Sequence, residues 1–152
     1  MQVKSKILTA ICIVLLVTSI ILITLLIVEK KEHNKNVLTV YNDCCKNAQQ
    51  SLYDYLNTDS NIYYERLCDD IYAMTSIALI AEEGLEISLI NNELLIAYTF
   101  LVEQPIISVK YLDFLNEALI LYNRDSNKEG YLIRLQSFNN RVSQEIHSVG
   151  KE

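Results

Sequence analysis

Residues Ile7 to Val28, ILTAICIVLLVTSIILITLLIV, run for twenty-two positions without a charge, a glycine or a proline. As an α-helix rising 1.5 Å per residue the stretch is roughly 33 Å long, enough to cross a hydrocarbon core of about 30 Å. It predicts a transmembrane helix close to the N-terminus. A cleaved signal peptide is the competing reading, since Lys4 and Lys6 form a basic leader. The apolar run is longer than the roughly 7–15 residues of a signal-peptide core. It also ends Leu25-Leu26-Ile27-Val28-Glu29-Lys30, with no small-x-small site for a peptidase. The stretch is therefore read as an uncleaved signal-anchor. Thr9, Thr18, Ser19 and Thr24 fit this reading, because a hydroxyl in a membrane helix can bond back to the preceding turn.

Working outward from the span, residues 1–6 make a short basic head, expected on the cytoplasmic side. Lys30, Lys31 and Lys35 on the far side nearly balance Lys4, Lys6 and the α-amine, so the positive-inside rule discriminates weakly. A six-residue head is easily retained, and a signal-anchor of this kind sends the following domain across. The C-terminal domain is expected to be extracytoplasmic, on a single-pass protein of the cell membrane. Residues 29–36 (EKKEHNKN) read as a stalk or as a direct continuation of the helix.

The charge is unevenly placed. The whole chain carries a net −6, but residues 37–123 hold thirteen carboxylates against Lys46, Arg66 and Lys110, a net of −10. An acidic body disfavours nucleic acid, whose phosphates need clustered Lys and Arg. It equally disfavours lying flat on an anionic lipid surface. Four cysteines occur, Cys12 in the span and Cys44, Cys45 and Cys68 beyond it. Neighbouring Cys44 and Cys45 on a helix point about 100° apart and do not bridge easily. With no CxxC and no Cys/His cluster, a zinc site is not expected; the thiols read as small buried hydrophobes.

Gly84, Gly130, Gly150 and Pro105 are the only glycines and proline. Punctuation this sparse argues against a turn-rich β fold. Residues 37–148 instead show helical periodicity. A first helix over about Val37–Asn57 carries the stripe Val37, Tyr41, Cys44, Ala48, Leu52 and Tyr55. The turn Thr58-Asp59-Ser60-Asn61 is rich in capping side chains. A second helix, about Asn61–Glu83, is striped by Tyr64, Leu67, Ile71, Met74, Ala78 and Ala81, with Gly84 as its stop. A third covers about Leu85–Glu103. Ile77–Ala81 and Leu94–Val102 are apolar nearly all round, so these parts are expected to sit centrally. Pro105 opens a fourth helix striped by Tyr111, Leu112, Leu115, Ala118, Leu119 and Tyr122. Arg124–Gly130 is a loop in which Ser126 and Glu129 fit a capping box. Tyr131, Leu135, Phe138, Val142 and Ile146 stripe the last helix, and residues 149–152 form a tail. The fold class is all-α: an N-terminal transmembrane helix followed by an antiparallel up-and-down bundle of about five helices.

No phosphate loop, dinucleotide fingerprint, HExxH or GxSxG motif occurs, and the two histidines, His33 and His147, read as surface residues. No catalytic, cofactor-binding or metal-binding residue is nominated, and the chain is expected not to be an enzyme. Two features suggest partner binding. Glu82, Glu83 and Glu86 crowd negative charge at a helix C-terminus, where the dipole is already negative, and so suit a basic partner. Tyr63-Tyr64 and Tyr53/Tyr55 flank one turn, so one member of each pair is expected to face out. Tyr63 is the nominated anchor, since exposed Tyr is enriched at interfaces. The function expected is a membrane-anchored, non-enzymatic interaction or assembly module of the cell envelope with a protein partner; a homo-oligomer is compatible with it. The alternative is an extracytoplasmic small-molecule-sensing domain acting through a membrane partner, since six residues cannot supply an internal output domain.

Overall fold

A computed structural model of the chain describes residues 2–81, 85–125 and 128–150, the side chains of 2–10, 86, 125 and 128 excepted. Among the described residues all regular structure is helical. Helix α1 is Gln2–Thr58, α2 is Asn61–Ile80, α3 is Asn91–Glu103, α4 is the single turn Pro105–Ser108, α5 is Leu112–Asp125 and α6 is Lys128–Val149. The chain divides into two compact units, Met1–Asn36 and Val37–Glu152.

In the first unit α1 is long and apolar enough to cross a membrane. Every large apolar side chain from Ile11 to Val28 is exposed. The hydroxyls of Thr18 and Ser19 both donate to Leu15 O, and Thr24 donates to Ile20 O, so these polar groups are satisfied within the helix itself. Residues 29–36 are helical, the continuation rather than a break.

The second unit is an all-α bundle. Its core takes Tyr41, Ala48 and Leu52 from α1, Leu67, Ile71 and Met74 from α2, and Leu94, Ala97 and Leu101 from α3. Leu115 and Leu119 of α5 and Leu135 and Phe138 of α6 complete it, all of them fully buried. Removing each of the leucine, isoleucine, methionine and phenylalanine side chains from water contributes roughly 1.5–3 kcal/mol. Among the described residues α5 packs along α6, α2 along α3 and α3 along α6. Polar links tie α1 to the others: Tyr122 Oη of α5 donates to Asn42 Oδ1 at 2.8 Å, and Asn123 Nδ2 donates to Gln49 Oε1 at 2.6 Å. Across α3 and α6, the buried Asn139 donates to both the carbonyl and the carboxylate of Glu93, at 2.9 and 2.7 Å.

The turn after α1 works through backbone rather than caps. Asp59 takes a left-handed conformation (φ 52°), one that Asp tolerates better than most residues, and its N–H bonds Tyr55 O at 2.7 Å. Ser60 is extended ahead of α2 and makes no side-chain cap; its carbonyl receives the N–H groups of Tyr63 and Tyr64.

Several expectations are corrected. Helix α2 ends at Ile80 rather than Glu83, with Ala81 extended behind it. Gly84 and Ser126, nominated as stop and cap, lie outside the described residues. The third helix does not begin at Leu85. Residues Glu86–Ile90 wind as a 3-10 turn, in which Leu85 O accepts both the N–H and the Oγ–H of Ser88, and the α-helix starts at Asn91. The fourth is interrupted: Pro105 does open α4, but Val109–Tyr111 is a 3-10 segment and α5 follows. Ser108 sits at that interruption, buried, its Oγ donating to Phe100 O at 2.7 Å. On α1 the buried thiol is Cys45, with Cys44 only half-buried. Steps of three and four admit either residue, and the packing selects the one four residues after Tyr41.

Candidate functional surfaces

Glu82 and Glu83 lie outside the described residues, as does the side chain of Glu86. Tyr63 is described, and it is half-buried rather than fully turned out. Tyr53 and Tyr55 divide as expected, one out and one buried, but Tyr63 and Tyr64 are both half-buried. Tyr64 packs its ring 5.3 Å from that of Tyr55 and donates to Leu101 O at 2.8 Å. Tyr63 turns toward α1 and carries the Arg66 guanidinium over its ring at 5.6 Å.

Tyr63 thereby lines a polar cleft between α1 and α2 of about 380 Å³, with Asn47, Gln50, Ser51, Asp54, Arg66, Asp69 and Asp70. Gln50 Nε2 donates to Asp54 Oδ1 and Ser51 Oγ to Asp70 Oδ2, each at 2.9 Å. Three carboxylates against one guanidinium leave the lining net acidic. Burial pushes the Asp70 carboxyl above its ordinary range; the Ser51 hydrogen bond opposes that, Asp69 adds to it and Arg66 offsets it. Adjacent Asp69 and Asp70 both border this cleft. Among the described residues no three His, Cys, Asp or Glu side chains gather to hold a metal ion.

A second surface was not nominated from the sequence. The apolar runs expected to sit centrally are open on one side. Leu79 is 71% exposed, Leu95 50% and Val102 51%. Tyr72 and Leu79, seven residues apart, lie on one outer stripe of α2; Leu95 and Val102, also seven apart, lie on one of α3. The Tyr72 and Tyr98 rings, with centroids 5.2 Å apart, bring the stripes side by side. Among the hydroxyls there, Ser76 Oγ donates to Tyr72 O and Thr99 Oγ1 to Leu95 O, while the exposed Tyr72 brings a phenolic hydroxyl of its own. Its signal in the sequence was the same all-round apolarity that was read as burial; only the packing separates a covered face from an open one.

Deep in the bundle, Tyr41, Tyr122 and Tyr131 form a ring cluster beside Cys45. Burial pushes the Cys45 thiol up to about 12, and burial chiefly, with Asp69 and Glu65 adding, lifts Cys68 to about 11. Such thiols are poor nucleophiles near neutral pH. His33 and His147 are exposed. No protein family model, curated protein or solved structure matches this chain.

Proposed function

We propose that the chain is a single-pass, membrane-anchored interaction module of the cell envelope, non-enzymatic, with residues 1–6 inside and the bundle outside. One observation carries the reading: the face of α2 and α3 formed by Tyr72, Leu79, Leu95 and Val102 is open and carries no charged side chain among these four. Exposed apolar surface of that kind on a soluble bundle marks a contact with another macromolecule. The N-terminal helix, apolar enough to cross a membrane, supports the anchoring. The acidic body supports a basic partner, through long-range attraction that speeds encounter.

The test is crosslinking in native membranes followed by recovery of the full chain. Leu79→Asn with Leu95→Asn should abolish a specific adduct and leave helicity intact. An adduct pattern unchanged in that variant contradicts the reading. The cleft between α1 and α2 favours a second reading, a small-ligand sensor. A saturable thermal shift with a cationic or zwitterionic metabolite, removed by Asp69→Asn with Asp54→Asn, would support it.

A further inference from the structure

We propose that the face formed by the outer stripes of α2 and α3 receives an amphipathic helix of another protein, one with an apolar seam and a basic end. The proposal rests on the reading of the chain as a docking module and names the chemistry of its partner.

The geometry supplies the seam. Tyr72 and Leu79 on one side and Leu95 and Val102 on the other are each spaced by two helical turns, the repeat on which a docked helix presents its anchors at i, i+3, i+4 and i+7. Helices α2 and α3 run antiparallel here. Tyr64 of α2 bonds Leu101 of α3, while Tyr72, farther along α2, meets Tyr98, farther back on α3. The face therefore has two ends, and the end marked by the Tyr64–Leu101 bond is the one where Glu65 follows Tyr64 on α2 and Glu103 closes α3.

The charge supplies the orientation. Glu65 and Glu103 are exposed, and neither has an ion pair among the described residues. The bases nearest in sequence are engaged elsewhere, Arg66 over the Tyr63 ring and Lys110 with Glu145 at 2.7 Å. From Ile71 to Val102 the chain holds no Lys, Arg or His. A second copy seated on this face would bring a body of the same net negative charge to the acidic end. An anionic lipid surface would be repelled by a body carrying −10. A helix with Lys or Arg at one end satisfies both the seam and the rim.

The probe is a fluorescent eighteen-residue peptide, helical, with leucines along one seam and three lysines at one end; a matched peptide carries glutamates there. The full chain is held in phosphatidylcholine nanodiscs, with empty discs subtracted, and binding is read by anisotropy. The lysine peptide should bind saturably and about tenfold more tightly than the glutamate peptide. Leu79→Asn with Leu95→Asn should weaken it about tenfold or more, the scale of a lost anchor. Glu65→Gln with Glu103→Gln should weaken it about threefold and flatten its salt dependence. Equal binding of the two peptides, or binding indifferent to the leucine variant, overturns the proposal. So does self-association in sedimentation that Leu79→Asn abolishes, which would make the occupant a second copy. Native-membrane adducts at the face without peptide binding would overturn the helix while leaving the docking reading intact.

Discussion

Tyr41 Oη and Tyr131 Oη lie 3.1 Å apart in the middle of the bundle, both residues fully buried, and join helices separated by ninety residues of sequence. Each hydroxyl answers the other's need for a partner, so the pair is costly to break from one side. Tyr131→Phe leaves the Tyr41 hydroxyl buried without that bond and should destabilise the chain by about 1–3 kcal/mol in urea unfolding. Tyr41→Phe combined with Tyr131→Phe should cost less than the two single changes added together. Strict additivity would mean that the hydroxyls do not depend on each other.

Asp70 gives a pH dependence with a definite sign. Burial raises its folded pKa above the unfolded value, so the folded state holds the proton more tightly. The stabilisation from that proton is complete below the unfolded value of about 3.9 and is lost as pH rises through the folded one. Asp70→Asn keeps an acceptor for Ser51 and removes the charge. It should raise the thermal midpoint at neutral pH, and the gain should shrink on acidification toward about pH 4. A gain that is constant or grows toward low pH would contradict the desolvated carboxylate.

The thiols beyond Val28 should differ in reactivity. Cys45 is fully buried with its pKa pushed to about 12, whereas Cys44 is half-buried and raised, first by burial and then by Asp70 and Asp43. Timed alkylation with N-ethylmaleimide at about pH 8, read by mass spectrometry, should modify Cys44 before Cys45. Urea should remove the difference. Equal rates in the folded chain would place Cys45 outside the core.

Adjacent Leu94 and Leu95 test the packing directly, since the first is fully buried and the second half exposed. Leu94→Ala should cost about 2–5 kcal/mol and Leu94→Asp should unfold the bundle. Leu95→Asn should change stability by no more than about 0.5 kcal/mol. A Leu95 change as severe as Leu94→Ala would mean that the α2–α3 face is already covered within the chain.

The same pair shows how far the sequence could be read. The stripes of α5, α6 and the first part of α2 were legible because a single apolar row leaves one way to bury it: Leu67, Ile71 and Met74 are all inside, as are Tyr131, Leu135, Phe138 and Val142. Leu94–Val102 offered apolar residues on every side, so periodicity could not name the buried ones. Backbone detail was also hidden. The 3-10 turns at Glu86–Ile90 and Val109–Tyr111 are fixed by hydrogen bonds to Leu85 and by the buried Ser108, not by local propensity. The place of Tyr63, under the Arg66 guanidinium at the α1–α2 cleft, was not legible either, because it is set by packing.

The docking face is tested most directly by a photoreactive amino acid placed at Tyr72, Leu79 or Val102 of the full chain in native membranes, with Asn140, exposed on α6, as the control position. On irradiation the three face positions should yield one common protein adduct that Asn140 does not. Adducts that are absent from the face, or equally strong at Asn140, would contradict a partner seated on α2 and α3.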